Sequence, residues 1–164
     1  MTMKSEIEIR KSIHNWVLFF ITALVLSGMT AFALETELAW LDQVLEDGHS
    51  ALYFWINNVY AALRNTNQQY PFLAYGYDWL AFAHLVIAVA FVGVLKDPLK
   101  NKWIIQFGRI ACCMIFPLAF IAGYVRGIPI YWQLTDCSFG VLGLIPLSIC
   151  YRKIEQLEMI SRQI

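Results

Sequence analysis

The 164-residue sequence predicts an all-α integral membrane protein, a four-transmembrane-helix bundle, on three observations. First, hydrophobic residues make up 59% of the chain against 15% charged, and a mean hydropathy of +0.56 is too apolar for a water-soluble core of this size. Second, four apolar runs at residues 13–34, 77–95, 103–125 and 130–150 each approach the roughly 20 residues that cross ~30 Å of hydrocarbon. Third, nine of the twelve lysines and arginines flank one side of these runs: Lys4, Arg10 and Lys11; Lys96, Lys100 and Lys102; Arg152, Lys153 and Arg162. The positive-inside rule makes that side cytoplasmic. The opposite side holds Glu35, Glu37, Asp42, Glu46 and Asp47 with only Arg64 and Arg126. The chain therefore reads as a single multi-pass domain of the cytoplasmic membrane with both termini inside.

The first run carries no formal charge, and His14, Asn15 and Trp16 mark its inner interface. Its basic start and Ala31-Phe32-Ala33 imitate a cleavable signal, but the run exceeds the 7 to 15 residues of a signal's apolar region, so it reads as an anchor. Ala23, Ser27 and Ala31 recur at helical spacing and predict a packing face. The outer loop, residues 35–76, is far longer than the usual ~4 to 6 residues and must have structure of its own. Thr36 suits an N-cap, and Leu38, Leu41 and Leu45 come after it at helical period. Gly48 breaks the pattern, which Leu52, Ile56, Val59 and Leu63 resume with Asn57, Asn58 and Arg64 opposite. Two short amphipathic interfacial helices are expected, with Trp40, Tyr53, Trp55 and Tyr60 suited to the interface.

Tyr70-Pro71 closes the loop, and the second run carries His84 as the polar residue away from its rim, where Asp78 lies. Pro98 turns the chain; the third run carries Arg109 and Pro117, which leaves the carbonyl of Cys113 without its helical donor. Gly127 and Pro129 make the next turn, and the fourth run holds Asp136 and Pro146. No internal repeat of the inverted transporter kind emerges. The four cysteines fit neither a zinc pattern nor a redox pair; a bridge from Cys113 to Cys137 competes with the commoner small buried thiol. Formal net charge is zero and topology accounts for the basic residues, which leaves nucleic-acid binding without support.

Helix rise places His84 about 10 Å, Asp136 about 9 Å and Ser27 about 10 Å below the outer edge, so three spans bring polar groups to one level. Arg126 sits just above, with Glu35 and Asp78 at the same rim, and Trp79, Tyr131, Trp132 and Tyr75 supply walls. Charged groups in a span are costly, about 2.5–3.5 kcal/mol at its centre on insertion scales, and are paired or functional. Two readings share this geometry. In one, Asp136 bonds His84 or pairs with Arg126 and fixes helix register; in the other, the group lines an outward-facing pocket. Arg109 reads as an anchor to lipid phosphate or to loosened carbonyls.

Four functions are compatible with these residues. A bundle that binds or transports a small amphiphile, lipid or quinone comes first. A b-type haem protein comes second: the stretch from His14-Asn15-Trp16 to Ser27-Gly28 resembles the first helix of bacterial membrane b cytochromes, which implies a bound haem. His14 and His84 lie some 15 to 20 Å apart by helix rise, so only His84 with Met29 matches in depth. An outer-leaflet lipid-modifying enzyme comes third, with His84 as base, Asp136 as its orienter or Cys137 as nucleophile, and Arg126 as anion clamp. Last is a structural subunit that meets a membrane complex through its outer loop. The expected partners are the bilayer and a lipid or quinone-like ligand, with no nucleic acid and no metal cluster.

Overall fold

The computed structural model describes residues 3–45 and 50–161, with side chains from Glu6 onward. Lys4 as a side chain, Glu46, Asp47, the Gly48 break and Arg162 lie outside the described residues. Every described element is helical: α1 Met3–Phe32, α2 Leu34–Leu45, α3 Ala51–Gln69, a 3-10 turn Pro71–Ala74, α4 Tyr75–Lys96, α5 Lys102–Arg126 and α6 Ile130–Ser161. Four helices are long and apolar enough to cross a membrane: Glu6–Phe32, Pro71–Lys96, Lys102–Arg126 and Ile130–Ser161. The chain falls into two compact units, residues 1–22 with 88–164, and residues 23–87.

In the first unit α5 and α6 pack antiparallel along their length. Small residues set their spacing: a Cβ added at Gly140 would lie 2.8 Å from the Cys112 carbonyl oxygen, and one at Gly108 would lie 2.9 Å from the Leu147 side chain. The core is a row at helical spacing, Leu147, Cys150, Ile154 and Leu157, with Ile13, Val17, Phe91 and Ile105, all at most 2% exposed. Phe20 and Phe91 meet at 4.8 Å between ring centroids. All four cysteines are free; Cys112, Cys137 and Cys150 are buried and Cys113 is exposed, which is the small-thiol reading rather than a bridge.

Two helices outrun their apolar spans. α1 starts at Met3 rather than near residue 13, and α6 runs to Ser161 rather than stopping at 150. The charge boundary marks where hydrocarbon would end, whereas a helix ends only where the backbone is broken, and residues 151–161 contain neither Gly nor Pro. Lys102 at the start of α5 clamps the α6 extension through Glu158 at 2.8 Å and Glu155 at 3.7 Å. The intervening turn is closed by Asn101, whose side chain donates to the carbonyls of Gly93 and Asp97 at 2.9 Å each. The Lys100 backbone N–H, donated to Asp97, holds that carboxyl below its ordinary range.

In the second unit α2 and α3 form a helical hairpin with Leu38 and Ile56 inside. α2 begins at Leu34, one residue after α1, so Thr36 lies within the first turn and is not its cap; Ala33 can carry the chain straight into a new helix. Ser50 caps α3, its hydroxyl accepting the Tyr53 N–H. Asn57, expected on the polar face, instead turns to α2 and donates to Asp42 at 3.0 Å. Asn67 ties three helices: its amide donates to Glu35 of α2 at 2.6 Å and to the Tyr77 hydroxyl of α4 at 3.0 Å. A hydrogen bond to a charged partner contributes about 1.5–3 kcal/mol. Asn67→Leu is therefore expected to cost this unit about 2 kcal/mol and to speed hydrogen exchange of α2 and α3 amides roughly thirtyfold. Unchanged exchange would show that the hairpin holds without the knot.

The face of α1 turned toward α4 within this unit belongs to Gly28. A Cβ there would lie 2.9 Å from the Ala81 carbonyl oxygen and 3.2 Å from the His84 Cβ. Ser27 is exposed, and the packing face therefore runs through Gly28 rather than through the Ala23, Ser27 and Ala31 stripe. Consecutive residues point about 100° apart on a helix, so a reading one residue out of register turns a contact face toward the surroundings.

Candidate functional site

The site begins with a turn. α5 ends at Gly127, whose φ of 64° is the left-handed conformation that a Cβ disfavours. The Ile128 N–H returns to the Gly123 carbonyl at 2.9 Å and the Gly127 N–H to Tyr124 at 3.3 Å, so these two carbonyls at the end of α5 are satisfied. Pro129 opens α6, its carbonyl accepting from the Trp132 and Gln133 N–H groups. Gln133 is 7% exposed and folds back under the turn, donating from its amide to the Ile128 carbonyl at 2.8 Å. It fills the space that a side chain at position 123 would need: a Cβ on Gly123 would meet its side chain at 2.5 Å.

Below this locked turn lies a cavity of about 250 Å³. Ile115, Leu118, Ala119 and Ala122 of α5 make one wall; Arg126 stands at its end and Asp136, one turn beyond Gln133, borders it from α6. Asp136 is half-buried and Arg126 is exposed. Opposite charges thus border one small apolar space, yet they form no ion pair. Among the described residues the ion pairs are Arg10 with Glu6, Lys100 with Asp97, and Lys102 with Glu155 and Glu158. The register-clamp reading through an Asp136 to Arg126 pair is therefore not what the geometry holds. The neighbouring hydroxyls are spent on their own helix, Thr135 donating to the Tyr131 carbonyl and Ser138 to the Thr135 carbonyl. Tyr131 and Trp132 lie in the first turn of α6.

The other sequence candidates belong to the second unit. His84 sits on α4 with its Nδ1 2.8 Å from the Leu80 carbonyl oxygen. A carbonyl only accepts, so Nδ1 donates in this contact, which corresponds to the tautomer with Nε2 as its acceptor nitrogen. That tautomer suits a metal ligand as well as a general base. Met29, its depth-matched haem partner, is 56% exposed on α1 and lies about 100° around from the Gly28 face that meets His84. Among the described residues no cluster of three His, Cys, Asp or Glu could hold a metal ion. Glu35 is taken up by Asn67, Asp78 is half-buried in the first turn of α4, and exposed Trp79 stacks edge-on with Tyr75 at 5.8 Å.

Two features escaped the sequence reading. One is Gln133, an uncharged residue whose importance lies wholly in its fold-back onto the turn. The other is a cluster at the opposite end of α5 and α6. Lys102 and Arg109 both lie over the Tyr151 ring, at 4.8 and 4.6 Å from its centroid, and Gln106 reaches the Tyr151 hydroxyl at 3.4 Å. A signal for it was present: Lys102, Gln106 and Arg109 on α5, and Tyr151, Glu155 and Glu158 on α6, share the same i, i+4, i+7 spacing. Comparison of the chain with profiles of protein families, with curated proteins and with solved structures found no match.

Proposed function

We propose that the chain is a multi-pass protein of the cytoplasmic membrane, both termini cytoplasmic, that binds a small amphiphile in the cavity between Arg126 and Asp136. The α2–α3 hairpin then lies at the outer interface, where exposed Trp40 and Phe54 suit the headgroup boundary. The carrying observation is that a guanidinium and a carboxylate border one apolar cavity and neither has an ion-pair partner among the described residues. A self-satisfied pair would be a clamp. An unpaired one calls for a guest that supplies both counter-charges, because an uncompensated Asp136 carboxylate about 9 Å into the span is expensive and exposed Arg126 stands beside it at the rim.

A zwitterionic headgroup with a primary ammonium and a phosphate meets both demands: the ammonium donates to Asp136, the phosphate accepts from Arg126, and the first methylenes run along Ile115, Leu118 and Ala119. Phosphatidylethanolamine is the matching probe. Asp136→Asn is expected to keep the fold and the ligand-free thermal stability while losing stabilisation by phosphatidylethanolamine. At 100 times the dissociation constant that stabilisation amounts to about 2.7 kcal/mol. Thermal unfolding in detergent with and without the lipid decides it, and a variant that responds as the parent does would sink the reading.

A further inference from the structure

Arg109 lies seven residues, or about 10 Å, into α5 from Lys102. Its Nε is sealed from solvent without a hydrogen-bond partner, and among the described residues the group that engages its guanidinium is the face of Tyr151. Lys102, the other cation on that ring, is already neutralised by Glu158 and Glu155. The acids of the cluster are thus spent one helical turn or more away, and the Arg109 charge stands uncompensated.

Beside it runs an open groove of about 650 Å³, polar at one end, where Gln106 and Arg109 border it, and apolar beyond, where Ile110, Met114, Pro117 and Leu144 do. Ile110 and Met114 are 60% and 63% exposed, so the apolar wall faces outward over two turns. We infer that this groove holds an anionic phospholipid, its phosphate on the Arg109 fork and one acyl chain laid along Ile110, Met114 and Pro117. Charge complementarity selects the head, since an arginine without a protein counter-charge within a span needs an anion and its planar fork fits phosphate bidentately. Tyr151 holds the guanidinium plane in place by cation–π contact. The exposed apolar row beyond Arg109 selects the tail, because a free anion would leave that row uncovered.

The test titrates the full chain in detergent with phosphatidylglycerol, with phosphatidylcholine as the zwitterionic comparison and inorganic phosphate as the head without a tail. Binding is read by native mass spectrometry and thermal shift. The parent is expected to bind phosphatidylglycerol at least tenfold tighter than phosphatidylcholine, and Arg109→Gln to erase that preference. Arg109→Lys should retain part of it, since the charge remains and the fork is lost. Asp136→Asn should leave the preference intact, which separates this site from the cavity between Arg126 and Asp136. Equal binding of both lipids by the parent, a preference that survives Arg109→Gln, or displacement of the lipid by equimolar inorganic phosphate each overturns the inference. Should Arg109→Gln fail to fold, Met114→Trp fills the groove with Arg109 in place; it is expected to lose phosphatidylglycerol affinity, and undiminished affinity counts against the groove.

Discussion

Leucine in place of Gly140 is expected to destabilise the first unit by about 3 kcal/mol, the upper end of the usual overpacking range. The reason is the identity of the atom in the way. A Cβ at position 140 would come within 2.8 Å of the Cys112 carbonyl oxygen, which is α5 backbone and cannot rotate aside. α5 and α6 must separate to admit it, opening contacts along the interface that frames the candidate cavity. A Cβ added at Gly143, one turn on, would lie 2.8 Å from the Cys112 sulfur, so that side offers little slack. The control is Gly76, in the first turn of α4, where an added Cβ would meet nothing within 4 Å. There alanine should be neutral or stabilising by up to about 1 kcal/mol, because only the backbone entropy changes. Thermal unfolding of Gly140→Leu and Gly76→Ala in one detergent checks both, and equal melting temperatures would show that the α5–α6 contact is not close-packed.

The same residues show where sequence reading works and where it stops. Four long apolar helices were legible because a span of hydrocarbon imposes about 20 apolar residues and leaves an unmistakable composition. The turn at Gly127 was legible because glycine fits a left-handed backbone that other residues resist. Helix ends were not legible from charge: the extension of α6 to Ser161 results from the absence of a breaker and from the Lys102 clamp, a contact 56 residues apart in the chain. Ser27 failed by one residue, since small-residue spacing on α1 admits two adjacent faces and only the close approach of Ala81 selects Gly28.

The site was legible in part for a related reason. Asp136 and Arg126 stand out in a span because charge is costly there, and the cavity borders both. That they would remain unpaired could not be read, since a carboxylate near the start of one helix and an arginine across a tight turn are within reach on any linear argument. Gln133, folded beneath the turn and bonded to Ile128, lines the same cavity as both. The Arg109 cluster was missed because α6 was expected to end before Tyr151 could face α5. Once the helix continues, Tyr151, Glu155 and Glu158 come onto one face, and the difference between a neutralised lysine and an arginine without a counter-charge emerges.

Orientation supplies the largest expected effect, an all-or-none difference in labelling. By the positive-inside rule the three separate basic groups predict the α1 start, the α4–α5 turn and the α6 end on one side, and no rearrangement of a single loop reverses that expectation. Gln68 is exposed near the end of α3, and Lys100 is exposed in the turn between α4 and α5; one apolar helix, Pro71–Lys96, separates them. Cysteines at these positions, in a Cys113→Ser background that removes the one exposed native thiol, should therefore report opposite sides. Lys100→Cys is tolerable because its ion pair with Asp97, at 3.5 Å on the surface, is of the weak, solvent-screened kind and its backbone N–H still caps the turn. A membrane-impermeant maleimide on intact cells should label Gln68→Cys and leave Lys100→Cys untouched until the membrane is opened. The reverse pattern would overturn the orientation. Labelling of both from outside would mean that α4 does not cross, and with it the four-span reading would fall.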